Sequence, residues 1–347
     1  MSRGLLKNES MPVKRKTYLD MAKGIGIILV ILGHANYSSA IVPWQCSFFM
    51  PLFFICSGMC YTKPKSIKEN AKRILLPYYL WGGCGELLYA VYDIIQKQFD
   101  IKTFFIGVAK YAVGMSQKNY PLWFLTVFFV CKVVFDSLIA STNKFRNRTL
   151  VATVVMIVSL VLGLCFGLLK NKIGMFLPYR FDIAFVMLPM FGIGYLFNVH
   201  QWDEKFKELI HRPYVKMISI TVLTFVINFV AFKLNPQIVS VNSSEYGNPF
   251  CFVISSIFGS LFIIEVSVIF QDSMAVRESL SWYGKNSLLI MCTHALLLPF
   301  IDRIVSLFRI PINKGYIIFI MCLLIEIPVV IMLQHLKSLV SNKRNYG

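Results

Sequence analysis

The sequence predicts an all-α integral membrane protein: one bundle of about ten transmembrane helices that fills residues 1–347 as a single domain, with both termini cytoplasmic. Three observations predict it. Hydrophobic residues make up 56% of the chain and charged ones only 15%, and the mean hydropathy of +0.64 is far above what a solvated surface tolerates. Apolar runs of about 18 to 25 residues recur along the whole length, each long enough to cross a hydrocarbon core of roughly 30 Å as a helix; strands of a membrane barrel would show short alternating segments instead. Lys and Arg are shared unevenly between the pieces that join those runs.

The spans are expected at roughly 18–37, 44–61, 74–95, 120–140, 149–169, 179–198, 215–232, 249–271, 284–303 and 314–336. The first follows Lys14, Arg15 and Lys16, which with the apolar stretch resemble a signal peptide; nine further spans make it a retained first helix. Between the third and fourth, Ile101 to Met115 is apolar with interspersed lysines, too short and too charged to span comfortably, and suits the outer interface. Gln201 to Lys216 reads as a charged, partly helical inner loop. No internal repeat or long linker divides the chain.

The net charge of +18, from 35 Lys and Arg against 17 Asp and Glu, need not mean a nucleic-acid partner. With the N-terminus inside, 21 of the basic residues fall on inner segments and 10 on outer ones, as the positive-inside rule requires. The expected location is the cytoplasmic (inner) cell membrane, and no nucleic acid is expected as a partner. The nine cysteines lie almost wholly in apolar runs without a CxxC pair and read as small buried hydrophobes. No His and carboxylate cluster has ligand spacing, so no metal is expected.

Ionisable residues inside spans are expensive and mark candidate sites: Lys23, His34, Glu86, Lys132, Arg180, Asp182, Glu265, His294 and Glu326. In the first span Lys23 and His34 are eleven residues apart, which returns the helix to within roughly 20° of the same face and separates the two by about 16 Å along the axis. Asp20, Lys23 and His34 can thus line one polar seam, with Lys23 nearer the cytoplasm. The plainer reading makes His34 an interfacial residue and Lys23 an inner anchor. Lys72 and Arg73, at the water edge of the third span with Pro77 one turn inside, suit a phosphate-bearing ligand, although any inner loop is basic. Lys285, Asn286 and Ser287 lead into the ninth span, with His294 seven or eight residues deeper; a helix carbonyl can satisfy such a histidine. Arg180 and Asp182 read as an exposed ion pair or a helix-terminus contact at the outer mouth of the sixth span. Glu86, Lys132, Glu265 and Glu326 have no partner legible in the sequence.

Six pieces carry a resemblance: LDMAKGIGIILVILGH (19–34), FFMPLFFICSGMCY (48–61), AKRILLPYYLW (71–81), PLWFL (121–125), FDIAFVMLPMFGIGYLF (181–197) and SWYGKNSLLIMCTHALLL (281–298). In this order the chain resembles the membrane-bound acyltransferase 3 family, particularly its fucose O-acetylase-like and surface-polysaccharide O-acetyltransferase branch. The resemblance implies transfer of an acyl group, usually acetyl from acetyl-CoA, to a sugar hydroxyl of a cell-surface glycan or its lipid-linked precursor, with membrane lipid around the bundle. It places the family's first-span histidine on His34 as general base, an imidazole with an unperturbed pKa of about 6.5. The family's arginine eleven residues earlier falls on Lys23, which keeps the charge and loses the bidentate fork. The family's inner-loop arginine pair falls on Asn70 and Arg73, so donor binding passes to Arg73, with Lys72 and Lys23 beside it. Trp123, Asn286, His294 and Asp20 are candidates for shaping the site. The competing classes are a transporter or flippase of a lipid-linked sugar, against which stands the absence of half-repeats, and a glycan polymerase, against which stand the short outer loops.

Overall fold

The computed structural model describes residues 15–36, 38–115, 118–142, 145, 147–173, 177–200, 214–308 and 313–344. Arg3, Lys7, Lys14, Lys144, Arg146, Lys205, Lys207, Arg212 and Arg309, and most of the inner loop expected over 201–216, lie outside the described residues. Within them the regular structure is helical, apart from one isolated bridge between Ser240 and Glu245.

α1 (Thr17–Ala35) is the first apolar run, ended by Asn36, whose backbone N–H returns to the Leu32 carbonyl. The expected second span is broken in two, α2 (Val42–Gln45) and α3 (Phe49–Met59). Gln45 at the break turns its amide back to the Leu29 carbonyl at 2.9 Å, which fixes the loop against α1. On the other side of the bundle Ser66 and Glu69 form a capping box that opens α4 (Ile67–Asn70). Hydrogen bonds from the Ser66 amide and hydroxyl hold the Glu69 carboxyl below its ordinary pKa. The chain then passes through a π-helical turn (Ala71–Leu75) into α5 (Leu76–Ile95). Pro77 cannot donate to the Arg73 carbonyl and would crowd it in a regular helix; the wider turn just before it makes room.

α6 (Ile101–Ala112), capped by Asp100, occupies the stretch expected at the outer interface. A short 3-10 turn leads into α7 (Trp123–Thr142), followed by α8 (Arg148–Ile173), α9 (Phe181–Val199), α10 (Tyr214–Leu234) and α11 (Pro249–Ile269). The expected ninth span begins later than its polar lead suggests. Lys285 ends a separate helix, α12 (Met274–Lys285), and the break at Asn286 precedes α13 (Ser287–Leu307). α14 (Lys314–Arg344) closes the described chain.

Among the described residues nine helices are long and apolar enough to cross a membrane. α5 is less apolar, but its 20 residues reach about 30 Å and it joins the same two ends of the bundle. Asn70, just before it, bonds Asp136 of α7, whereas Asp93 near its far end meets Lys118, two residues before the Tyr120 ring that touches His34. The protein is thus an all-α polytopic membrane protein. Its outer layer shows it: α8, α10 and α14 leave Leu162, Val222 and Leu324 exposed, as lipid-facing helices do and water-facing helices do not. The cysteines depart from the expectation of uniform burial. Cys56, Cys131, Cys292 and Cys322 are buried, while Cys60, Cys84 and Cys165 are exposed, the latter two on helix faces where an apolar thiol meets lipid at little cost.

α1 lies at the centre, against α3, α11, α12, α13 and α14. Two glycines set its closest approach. A Cβ on Gly24 would strike the Leu280 carbonyl oxygen, and one on Gly284 would strike that of Asp20. Small residues at such crossings let backbones touch, which in lipid takes the place of the hydrophobic drive. Gly24→Leu is therefore expected to lower stability by about 1–3 kcal/mol or more through overpacking, whereas Leu162→Ala on the lipid face should stay within about 0.5 kcal/mol; thermal unfolding in detergent, followed by tryptophan fluorescence, compares the two.

Candidate functional site

His34 is the penultimate residue of α1, and His294 stands in the second turn of α13. The bundle stacks their rings, with centroids 5.3 Å apart and planes 24° apart. Tyr120 meets the other side of the arrangement, its ring edge-on to His34 at 4.8 Å. His294 is fully buried, and its Nδ1 lies 2.7 Å from the Ile290 carbonyl. A carbonyl only accepts, so Nδ1 carries the hydrogen and Nε2 is left as an acceptor. That nitrogen has no hydrogen-bond partner among the described residues.

His34 also lines two cavities. The first, of about 480 Å³, is walled by Val30, Phe49, Met50, Trp123 and Met291 and roofed by the loop 238–245. The second, of about 450 Å³, is lined by Asn36, Ser38, Asp302, Asn313 and Lys314 together with Ala35, Leu298, Pro299 and Ile318. The roof is held by the pair expected to be exposed. Arg180 and Asp182 are instead buried, at 5% and 4% exposure, and lie 2.9 Å apart. Arg180 also donates to Asn242 at 2.9 Å and Ser244 at 3.2 Å, and Ser244 donates to Asp182 at 2.6 Å. A buried ion pair needs such extra bonds to offset its desolvation, and here they come from the loop itself.

The other end of the bundle gathers the remaining candidates. Lys23 lies 3.8 Å from the Cys60 sulfur. Asp20 takes a hydrogen bond from Arg15. Lys72 and Arg73 are exposed on the π-helical turn. Asn70 beside them is buried and donates to Asp136 at 2.8 Å; Tyr61 donates to the same carboxylate at 2.7 Å and Lys132 at 3.1 Å. The Lys132 ammonium also sits 4.3 Å over the Tyr61 ring. This cluster ties the basic loop 63–73 to α7.

Of the residues singled out in the sequence, the structure brings His34 and Trp123 to one cavity and stacks His294 on His34 behind it. Lys23, Lys72 and Arg73 lie towards the opposite end. Asn286 forms the break between α12 and α13, donating to Trp282 and accepting from Gln334. The buried acids without a legible partner mostly have one: Thr224 donates to Glu265 at 2.6 Å and Thr293 to Glu326 at 2.9 Å, while Oε1 of Glu86 is unpaired among the described residues. Sequence reasoning missed Asp136, Tyr120, Asn36 and the roof loop. Asp136 had a signal, since it stands one helical turn after Lys132, the spacing of an intrahelical ion pair; the loop had none.

A family model described as an acyltransferase domain, of the acyltransferase 3 type, matches residues 16–333. The chain belongs to the acyltransferase 3 family. No curated protein and no solved structure matches it. The match takes in both histidines, both cavities and the Asp136 cluster, so the protein is a multi-pass membrane acyltransferase. In this acyltransferase Asp136→Ala would strand the Lys132 ammonium together with the Tyr61 and Asn70 donors. The expected loss of stability is about 3 kcal/mol or more, and adding Lys132→Met should recover part of it, both read from unfolding of the purified protein in detergent.

Proposed function

We propose that this acyltransferase moves an acetyl group from acetyl-CoA to a sugar hydroxyl of a cell-surface polysaccharide or its lipid-linked precursor, in the cytoplasmic membrane, with His34 as the general base. The observation that carries the reading is the place of His34 at the junction of two cavities: a transferase with two substrates needs a base where they meet. The first cavity, with Val30, Phe49, Met50 and Met291 in its wall, would take the thioester and its arm, and the second, with Asn36, Ser38 and Asp302 in its lining, a hydroxyl-bearing acceptor. Lys72 and Arg73, exposed on the inner loop, would hold the donor's phosphates as charge-assisted partners, with Lys23 further along the path towards His34.

In the step itself His34 takes the proton from the acceptor hydroxyl as its oxygen attacks the thioester carbonyl. The tetrahedral intermediate collapses, the carbon–sulfur bond breaks, and the thiolate of CoA leaves and is protonated by the imidazolium. The base returns neutral, and the products are the O-acetyl ester and free CoA. His294, stacked on His34 with its tautomer fixed by Ile290, holds the ring that must accept the proton. Membership of an acyltransferase family favours this bond-making reading over transport of a lipid-linked sugar.

The test is transfer of labelled acetyl from acetyl-CoA to endogenous glycan in membranes holding the wild type or His34→Ala at matched abundance. Incorporation should fall about 10²- to 10⁴-fold in the variant, the contribution of a positioned general base. Equal labelling would remove His34 from the role, and no labelling by the wild type would remove acetyl-CoA or the glycan from the reaction.

A further inference from the structure

We propose that the cleft between the outer ends of α1, α13 and α14 is the acceptor site, and that it takes a sugar ring with no net charge through neighbouring hydroxyls. The proposal rests on the acyl-transfer reading for what the bound sugar receives. The cleft's volume of about 450 Å³ is that of an ordinary small-ligand site, and its polar groups alternate in kind.

Asn36 is 4% exposed, and its amide nitrogen has no hydrogen-bond partner among the described residues. Its oxygen is already taken, since the Ser38 hydroxyl donates to it at 2.9 Å. A buried donor left unmade costs about 1–3 kcal/mol, and Asn36 is among the residues that line the cleft. Across the cavity the Lys314 ammonium donates to Oδ1 of Asp302 at 3.1 Å, which leaves the second carboxylate oxygen outside that bond. Asn313 accepts the Gly315 amide through its own oxygen at 3.1 Å, which leaves its NH₂ group outside that bond as well.

Donors and acceptors thus face one another over a single space. A sugar hydroxyl is both donor and acceptor, so two vicinal hydroxyls can engage an amide and a carboxylate together. A phosphate or carboxylate ligand fits worse, because Asp302 cancels the charge of Lys314. Leu298, Pro299 and Ile318 line the same cleft and offer an apolar wall for the C–H face of a ring. His34 lines this cleft and the first cavity alike, so a hydroxyl bound here projects towards the donor.

Asp302 and Lys314 are half-exposed, with side chains 49% and 59% accessible, so substituting them should leave the fold intact. The experiment is equilibrium binding, without any donor, of tritiated oligosaccharide released from the host's surface polysaccharide and freed of esters by mild base, to the purified acyltransferase in lipid nanodiscs. Asp302→Asn and Lys314→Met should each raise Kd about tenfold at unchanged unfolding temperature. Unchanged Kd in both variants, or no saturable binding to the wild type, overturns the cleft as a glycan site. Binding with the expected losses, but no acetyl transfer to the same oligosaccharide from acetyl-CoA, upholds the cleft and removes acetyl transfer instead.

Discussion

The site depends on the backbone contact between α1 and α12. In hydrocarbon, apolar side chains gain little by leaving lipid for another helix, so a central helix must be held by close packing and internal hydrogen bonds. Gly24 against Leu280 and Gly284 against Asp20 supply that packing. They bring the inner half of α1 against a short helix that is followed, after a one-residue break, by α13. Because α13 continues directly from this contact, His294 reaches His34, which lines both cavities.

The bilayer also explains where the polar residues went. A buried charge or amide in such a bundle has no water to fall back on, so it is found where several elements can meet it. Asp136 gathers donors from the inner loop and its own helix. Arg180 and Asp182 do the same at the other end with the loop 238–245. Each cluster fixes an irregular segment: one holds the basic loop at one mouth of the bundle, the other roofs the cavity beside His34. The two ends of the acyltransferase are therefore shaped by polar networks, and the middle by close packing.

Between these ends, buried polar atoms of Asn36, Gln45, Glu86, Asn119, Tyr246 and His294 have no partner among the described residues. Nε2 of His294, the amide nitrogen of Asn36 and Oδ1 of Asn119 are buried and unpaired among the described residues; Asn119 is bonded through its nitrogen to the Cys292 carbonyl at 2.9 Å and precedes Tyr120, the ring that touches His34. Native interiors satisfy nearly all such atoms. Two of these exceptions belong to His294, stacked on His34, and to Asn36, two residues after it.

The sequence by itself determined the class of fold and which ionisable residues stand out as candidates. Apolar run length dictates helices that span, because only a helix satisfies its own backbone in lipid, and the cost of ions in hydrocarbon makes His34, Lys23, Lys132 and His294 conspicuous wherever the helices lie. It determined less well where helices break, since the break at Asn286 and the interruption after Gln45 depend on contacts with α14 and α1 that no local pattern encodes. Only the tertiary structure decided that His294 stacks on His34, that Arg180 and Asp182 are buried beneath a loop, and that Asn36, Asp302 and Lys314 share a cleft. The reason is physical: periodicity fixes which face of a helix a residue occupies, whereas the partner of that face is set by which small residues let two helices close, and those partners lie up to hundreds of positions away along the chain.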